Sequence, residues 1–187
     1  MHELIKFDKE LFLYLNSKHT PWLDPIMSFL SSYIGLAIIA ICILFYTAYR
    51  CWEWKWVVVT FALFTVGTTN LINNIVKIII ARPRPIHEEV FNDIIHAIEK
   101  YDAAYSFFSA HSSSSLALAV FVALATKNRY FTAIVLLWGV SVAYSRIYVG
   151  KHYPLDIIVG MIFGSIMAFV GYILFNYYKA IKTGRMH

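Results

Sequence analysis

Three short stretches of this chain gather residues that could act together on an anion. The first reads Lys77-Ile-Ile-Ile-Ala-Arg-Pro-Arg84-Pro85. An arginine can grip a phosphate through two parallel N–H groups, and a lysine adds a point charge. The same residues would also suit basic side chains reaching from a helix end to a membrane surface. Pro83 and Pro85 stop any helix there. The second stretch reads Ser106-Phe-Phe-Ser109-Ala110-His111, followed by Ser112–Ser115 and an apolar run. Serines ahead of an apolar run are ordinary helix caps, but capping does not account for His111. A helix N-terminus also offers free backbone N–H groups, and its positive dipole end suits a phosphate. The third stretch runs Ser145-Arg146-Ile-Tyr-Val-Gly150-Lys151-His152-Tyr-Pro154-Leu-Asp156. Pro154 suits the first turn of a helix, which places His152 just before that helix and Asp156 within it. A carboxylate four residues from a histidine can fix its tautomer and raise the basicity of the other ring nitrogen. A capping Asp beside an interfacial His, or a histidine–carboxylate metal site, would use the same residues.

The elements that carry these stretches are membrane elements. Of 187 residues, 59% are apolar and 14% are charged, against about 45–50% and about 25% in a soluble domain. That balance excludes a disordered chain, a nucleic-acid-binding module and a typical cytosolic enzyme. The net charge of +5 then reports topology rather than an anionic partner. Cys42 and Cys51 are too few for a disulfide framework and lack metal-ligand spacing. No cleavable signal is expected, because residues 1–20 carry acids and no clean apolar run.

Uncharged runs at 25–49, 56–76 and 157–178 are each long enough to span a bilayer. Two shorter runs, Ser112 to Thr126 and Tyr130 to Ser145, can cross if their ends lie inside protein. The expected fold is therefore an all-α integral membrane bundle of about five transmembrane helices. Leu4, Phe7, Leu11 and Leu15 recur at helical spacing, which predicts an interfacial amphipathic helix over 4–15. Val90, Phe91, Ile94, Ile95 and Ile98 predict a second one over 88–99, near the active site. The chain divides into an interfacial segment 1–24, a five-span core 25–178 containing the 82–111 connection, and a basic tail 179–187. Together these make one domain, 1–187. Gly160-Met-Ile-Phe-Gly164 is a small-xxx-small face, expected to pack inside a monomer rather than form a dimer seam.

If the five spans alternate, all three stretches meet on one side of the membrane. Their cations outnumber their acids, which argues for direct clamping of phosphate by protein rather than by a divalent metal.

In order, the three stretches resemble the motifs of the type 2 phosphatidic acid phosphatase family, relatives of the vanadium haloperoxidases. Lys77, six residues and Arg84-Pro85 match its first motif. Phe108-Ser109-Ala110-His111 stands where the family usually has Pro-Ser-Gly-His. Ser145-Arg146, five residues, His152, three residues and Asp156 match the third. The resemblance implies a lipid phosphatase with no metal and no cofactor. His152 would be the nucleophile that forms a phosphohistidine, oriented by Asp156. His111 would be the general acid and then the base. Lys77, Arg84, Ser109, Ala110 and Arg146 would hold the phosphate. Phosphatidylglycerophosphate, phosphatidate, undecaprenyl diphosphate and lipid A phosphates all suit such a site, as does phosphotransfer to an acceptor other than water. An anion transporter would use the cations but has no need of two histidines and a partnered carboxylate.

Orientation follows from charge. The 50–55 and 127–129 turns and the tail from 179 carry seven basic residues against one acid, Glu53. That pattern predicts a cytoplasmic C-terminus and an active site on the outer, periplasmic face of a bacterial inner membrane.

Overall fold

A computed structural model describes residues 2–91, 94–98 and 105–184. Among these residues the α-helices are α1 His2–Asn16, α2 Asp24–Ser31, α3 Tyr33–Arg50, α4 Lys55–Ile80, α5 Ala110–Thr126, α6 Arg129–Tyr148 and α7 Pro154–Lys182. Four of them, α3, α4, α6 and α7, are long and apolar enough to cross a membrane, and α5 is a shorter apolar helix.

The short helix lies at the centre. α5 packs against α7, α6, α4 and α3, and Leu116, Ala117, Leu118, Ala119, Phe121 and Val122 are all buried. Its surroundings are protein rather than lipid, so its serine-rich first turns can be satisfied locally. Ser114 Oγ donates to Asn70 Oδ1 at 2.8 Å, and Ser115 Oγ to Ser112 O at 3.2 Å. α7 comes very close to α5. A Cβ added at Gly164 would sit 2.1 Å from Ser113 O, and one at Gly160 2.9 Å from Ser109 O. The small-xxx-small face is thus filled by α5 of the same chain. This close approach carries the start of α7 to the start of α5, where two of the three motif stretches lie.

Two expectations need correction. The uncharged run 25–49 is not one helix but two, broken at Ser32. Ser32 has an extended backbone and caps α3 by accepting from Gly35 N–H at 2.9 Å. Hydropathy does not register such a break, because both halves are apolar. Among the described residues of 88–99, no α-helix forms where an amphipathic one was expected. The connection instead holds 3-10 turns at Pro85–His87 and Glu89–Phe91 and a turn at Ile94; residues 92, 93 and 99 lie outside those described. Phe91 is a core residue, packed on Phe12 with ring centroids 6.0 Å apart, whereas Val90 and Ile94 are exposed. The stripe divides because tertiary contact with α1 decides which side chains turn inward.

The N-terminal helix forms as expected, but its docking face is centred on Asp8, Phe12 and Asn16 and takes in only Leu15 of the apolar stripe. Leu4 and Phe7 are exposed, whereas Asp8, Phe12 and Asn16, one turn apart, are buried. Asn16 Nδ2 donates to the carbonyls of His96, Ile147 and Tyr148 at 3.1, 3.1 and 2.9 Å.

Candidate active site

The three motif stretches meet at one end of the bundle. α4 ends where Ala81 takes a left-handed backbone, φ 49°. The chain then turns back, and Pro83 and Pro85 keep it from resuming a helix. That return places Arg84 against the segment before α7. Its Nη1 lies 3.3 Å from His152 Nε2 and donates to Lys151 O at 3.4 Å. A guanidinium has no acceptor, so His152 Nε2 must present its lone pair there. The ring proton then sits on Nδ1, which faces Asp156 Oδ2 at 3.4 Å. This is the tautomer a nucleophilic Nε2 requires.

Asp156 is fully buried and held from several directions. Its Oδ2 accepts from Tyr153 N–H at 3.0 Å, as the N3 carboxylate of α7. Its Oδ1 accepts from Arg82 Nη1 at 2.7 Å. Arg82 also reaches Asp8 Oδ2 on α1, at 2.6 Å. Burial opposes charge on this guanidinium, but Asp156 and Asp8 outweigh it and keep the group above its ordinary range. Glu88 nearby accepts from Lys9 and, at 2.7 Å, from Tyr153 Oη. Burial pushes its carboxyl up, and these two partners hold it below the usual carboxylate range.

The start of α5 supplies the opposite wall. Ser109 caps the helix, accepting from Ser112 N–H at 3.3 Å, and its own N–H donates to Asp156 O at 3.1 Å. Ala110 is the first residue of α5 with ordinary helical backbone, so the missing glycine carries no penalty here. His111 follows it, and its Nε2 is buried without a hydrogen-bond partner among the described residues. Arg146, in the last turn of α6, donates to Ser31 O at 2.9 Å and to Ser31 Oγ. Lys77, Arg146 and Lys151 are near enough to His111 for their charges to act on it. The structure therefore assembles Lys77, Arg84, Ser109, Ala110, His111, Arg146, His152 and Asp156 at one end of the bundle.

A cavity of 340 Å³ opens here, lined by Ser31, Ser32, Tyr33, Ile34, His111, Arg146 and Lys151. Tyr33 and His111 also line a second cavity of 450 Å³. That one runs between α3, α4, α5 and α6, past Leu36, Ala40, Val66, Leu118 and Trp138. A charged chamber thus adjoins a mostly apolar one, with Tyr33 and His111 lining both.

Several residues here were not anticipated. Ser31 and Tyr33 reach the site only because the chain breaks at Ser32, and Tyr33 lies over His111 with ring centroids 5.0 Å apart. Asp8 was hidden in an amphipathic pattern, where an acid reads as a solvated face. Its one signal is position, since Asp8, Phe12 and Asn16 share a helix face.

The PAP2 superfamily matches residues 56–180. The chain belongs to that superfamily. It is accordingly a multi-pass membrane lipid phosphatase, a hydrolase of phosphoester or diphosphate bonds. The lipid A 4'-phosphatase of Porphyromonas gingivalis is 30% identical over 98% of this chain and 79% of that protein. The undecaprenyl-diphosphatase BcrC of Bacillus subtilis is 27% identical over 82% of this chain and 76% of its own length. In fold, the PAP2 chain resembles the transmembrane PAP2 type phosphatidylglycerolphosphate phosphatase from Bacillus subtilis. The TM-score is 0.73 at 20% identity, over 96% of this chain and 87% of the other.

Proposed function

We propose that this phosphatase works through a phosphohistidine on His152. Nε2 attacks phosphorus, an N–P bond forms, and the bond from phosphorus to the lipid oxygen breaks. His111 gives its proton to that leaving oxygen. It then takes a proton from water, which attacks phosphorus, breaks the N–P bond and frees inorganic phosphate. Asp156 orients His152 and balances the charge it gains. Lys77, Arg84, Arg146 and the N–H groups at the start of α5 hold the phosphate oxygens. The observation that carries this reading is the alignment of Arg84, His152 and Asp156, which makes Nε2 the lone-pair nitrogen of His152 beside a guanidinium.

The substrate is proposed to be a lipid phosphomonoester or diphosphate, with its tail in the 450 Å³ cavity. Lipid A phosphates and undecaprenyl diphosphate head the panel to test, because proteins named for them are similar along most of this chain. Release of inorganic phosphate from that panel by the purified protein tests the reading. Activity is expected to persist in EDTA and to be suppressed by vanadate, which can become five-coordinate like the in-line transition state. A strict need for magnesium or zinc would contradict a phosphate clamp built of Lys77, Arg84 and Arg146.

The site is proposed to face the outer side of a bacterial inner membrane. Arg50, Lys55, Lys127, Arg129, Lys179 and Lys182 support this, since they belong to the helix ends opposite the site. A phosphatase reporter fused after His187 should then be inactive, and a cytoplasmic fluorescent reporter bright. The reverse pattern would place the site on the cytoplasmic leaflet.

A further inference from the structure

Resting on that catalytic reading, we propose that Asp8 is a positioning residue: from the N-terminal helix, through Arg82, it sets the charge that Asp156 presents to His152. Asp8 belongs to none of the three motif stretches. It is 1% exposed on a helix whose Leu4, Ile5 and Phe7 are about half exposed or more. One oxygen takes Arg82 Nη2 at 2.6 Å. The other takes the N–H of Leu155, the residue before Asp156, at 2.8 Å. Arg82 places its second arm on Asp156 Oδ1 at 2.7 Å. Charges therefore alternate from Asp8 through Arg82 and Asp156 to His152.

The need for this sequence lies in what else faces His152. Arg84 touches it, Lys151 precedes it, and Arg146 and Lys77 act on the same small space, as His111 does when protonated. Tyr153 and Glu88 lie on the α1 side. His152 must bear a positive charge once Nε2 bonds to phosphorus. Arg82 alone would cancel Asp156 and leave that charge among cations. Asp8 restores one net negative charge to the Asp8–Arg82–Asp156 group. Asp8 and Asp156 are buried, and the Arg82 side chain is 18% exposed, so solvent screens this arrangement weakly. α1 is separately anchored by Phe12, packed on Tyr153 at 5.5 Å between ring centroids, and by Asn16. Docking and charge can therefore be told apart.

The test measures kcat and KM across pH for the full chain as wild type, Asp8→Asn, Asp8→Glu and Asn16→Ala. Asp8→Asn should lower kcat about tenfold or more, an effect on the transition state, with KM changed little. It should also move the acid limb of kcat/KM to lower pH. With less negative charge nearby, His152 holds a proton less tightly and remains a free nucleophile in more acidic solution. The substrate's own ionisation is common to all the variants and cancels in the comparison. Asp8→Glu should recover part of the rate, and Asn16→Ala should leave the acid limb where it is in the wild type. The inference is overturned by wild-type kcat in Asp8→Asn, or by a lowered kcat with an unmoved limb. It is equally overturned if Asn16→Ala moves the limb as far. Turnover by His152→Ala would instead overturn the catalytic reading itself.

Discussion

Hydrolysis of a lipid phosphate is expected to disappear in His152→Ala and to survive at a low level in Asp156→Asn. Without the imidazole there is no atom to form the N–P bond, and the remaining cations can hold phosphate but not cleave it. The asparagine case is subtler. One carboxylate oxygen becomes an NH2 that cannot accept, so either Arg82 Nη1 or the pair of Tyr153 N–H and His152 Nδ1 loses its acceptor, and the negative charge that balances the phosphohistidine is gone. Steady-state phosphate release measures both variants. An acid-labile, base-stable phosphoenzyme should form in the wild type and accumulate in His111→Ala, given a substrate with a good leaving group. Normal turnover in His152→Ala would end this mechanism.

Arg84→Ala is expected to lower kcat/KM about a thousandfold, the upper range for losing one preorganised donor at a developing oxyanion. On the proposed mechanism Arg84 has two tasks, one before and one during the reaction. In the free enzyme its Nη1 caps the Nε2 lone pair at 3.3 Å. In the proposed mechanism the same guanidinium would take two phosphate oxygens as Nε2 turns to phosphorus. Arg84→Lys keeps the charge but has neither the fork nor the reach, so it should recover only a small part of the loss. Exogenous guanidinium provides the matching control. Partial rescue of Arg84→Ala, with none of His152→Ala, would assign the defect to the missing planar cation. An Arg84→Ala enzyme within a factor of about three of wild type would remove Arg84 from the clamp.

The site was legible because its residues stand at helix ends, and alternation of the spans determines which ends share a face. Lys77, His111, Arg146 and Asp156 each follow or precede an apolar run, so hydropathy alone brought them to one side. The short run from Ser112 was readable as a crossing helix only on condition of protein surroundings, and α5 meets that condition. What stayed hidden depends on contacts distant in sequence. The break at Ser32 is set by one capping hydroxyl and the close approach of Gly35 to Phe29 O. Phe91 and Val90, placed on one stripe by their periodicity, part company, because Phe12 offers a partner to only one of them. Asp8 differs from a solvated acid through Arg82 and the N–H of Leu155, both remote from it in sequence.

The central position of α5 has a consequence for how the protein is made. A nascent segment leaves the translocation channel for lipid when its own hydrophobicity suffices, roughly 20 apolar residues. α5 has 17 residues and opens with Ala110-His-Ser-Ser-Ser-Ser. It cannot partition alone. Lys127 and Asn128 are all that separate it from α6, so the two must enter as a hairpin, with α7 following to seal the glycine seam. The catalytic end is consequently the last part of the molecule to exist. Until α7 arrives, His111 stands at the head of a helix without its closest packing partner, and a chain arrested before residue 154 lacks Asp156.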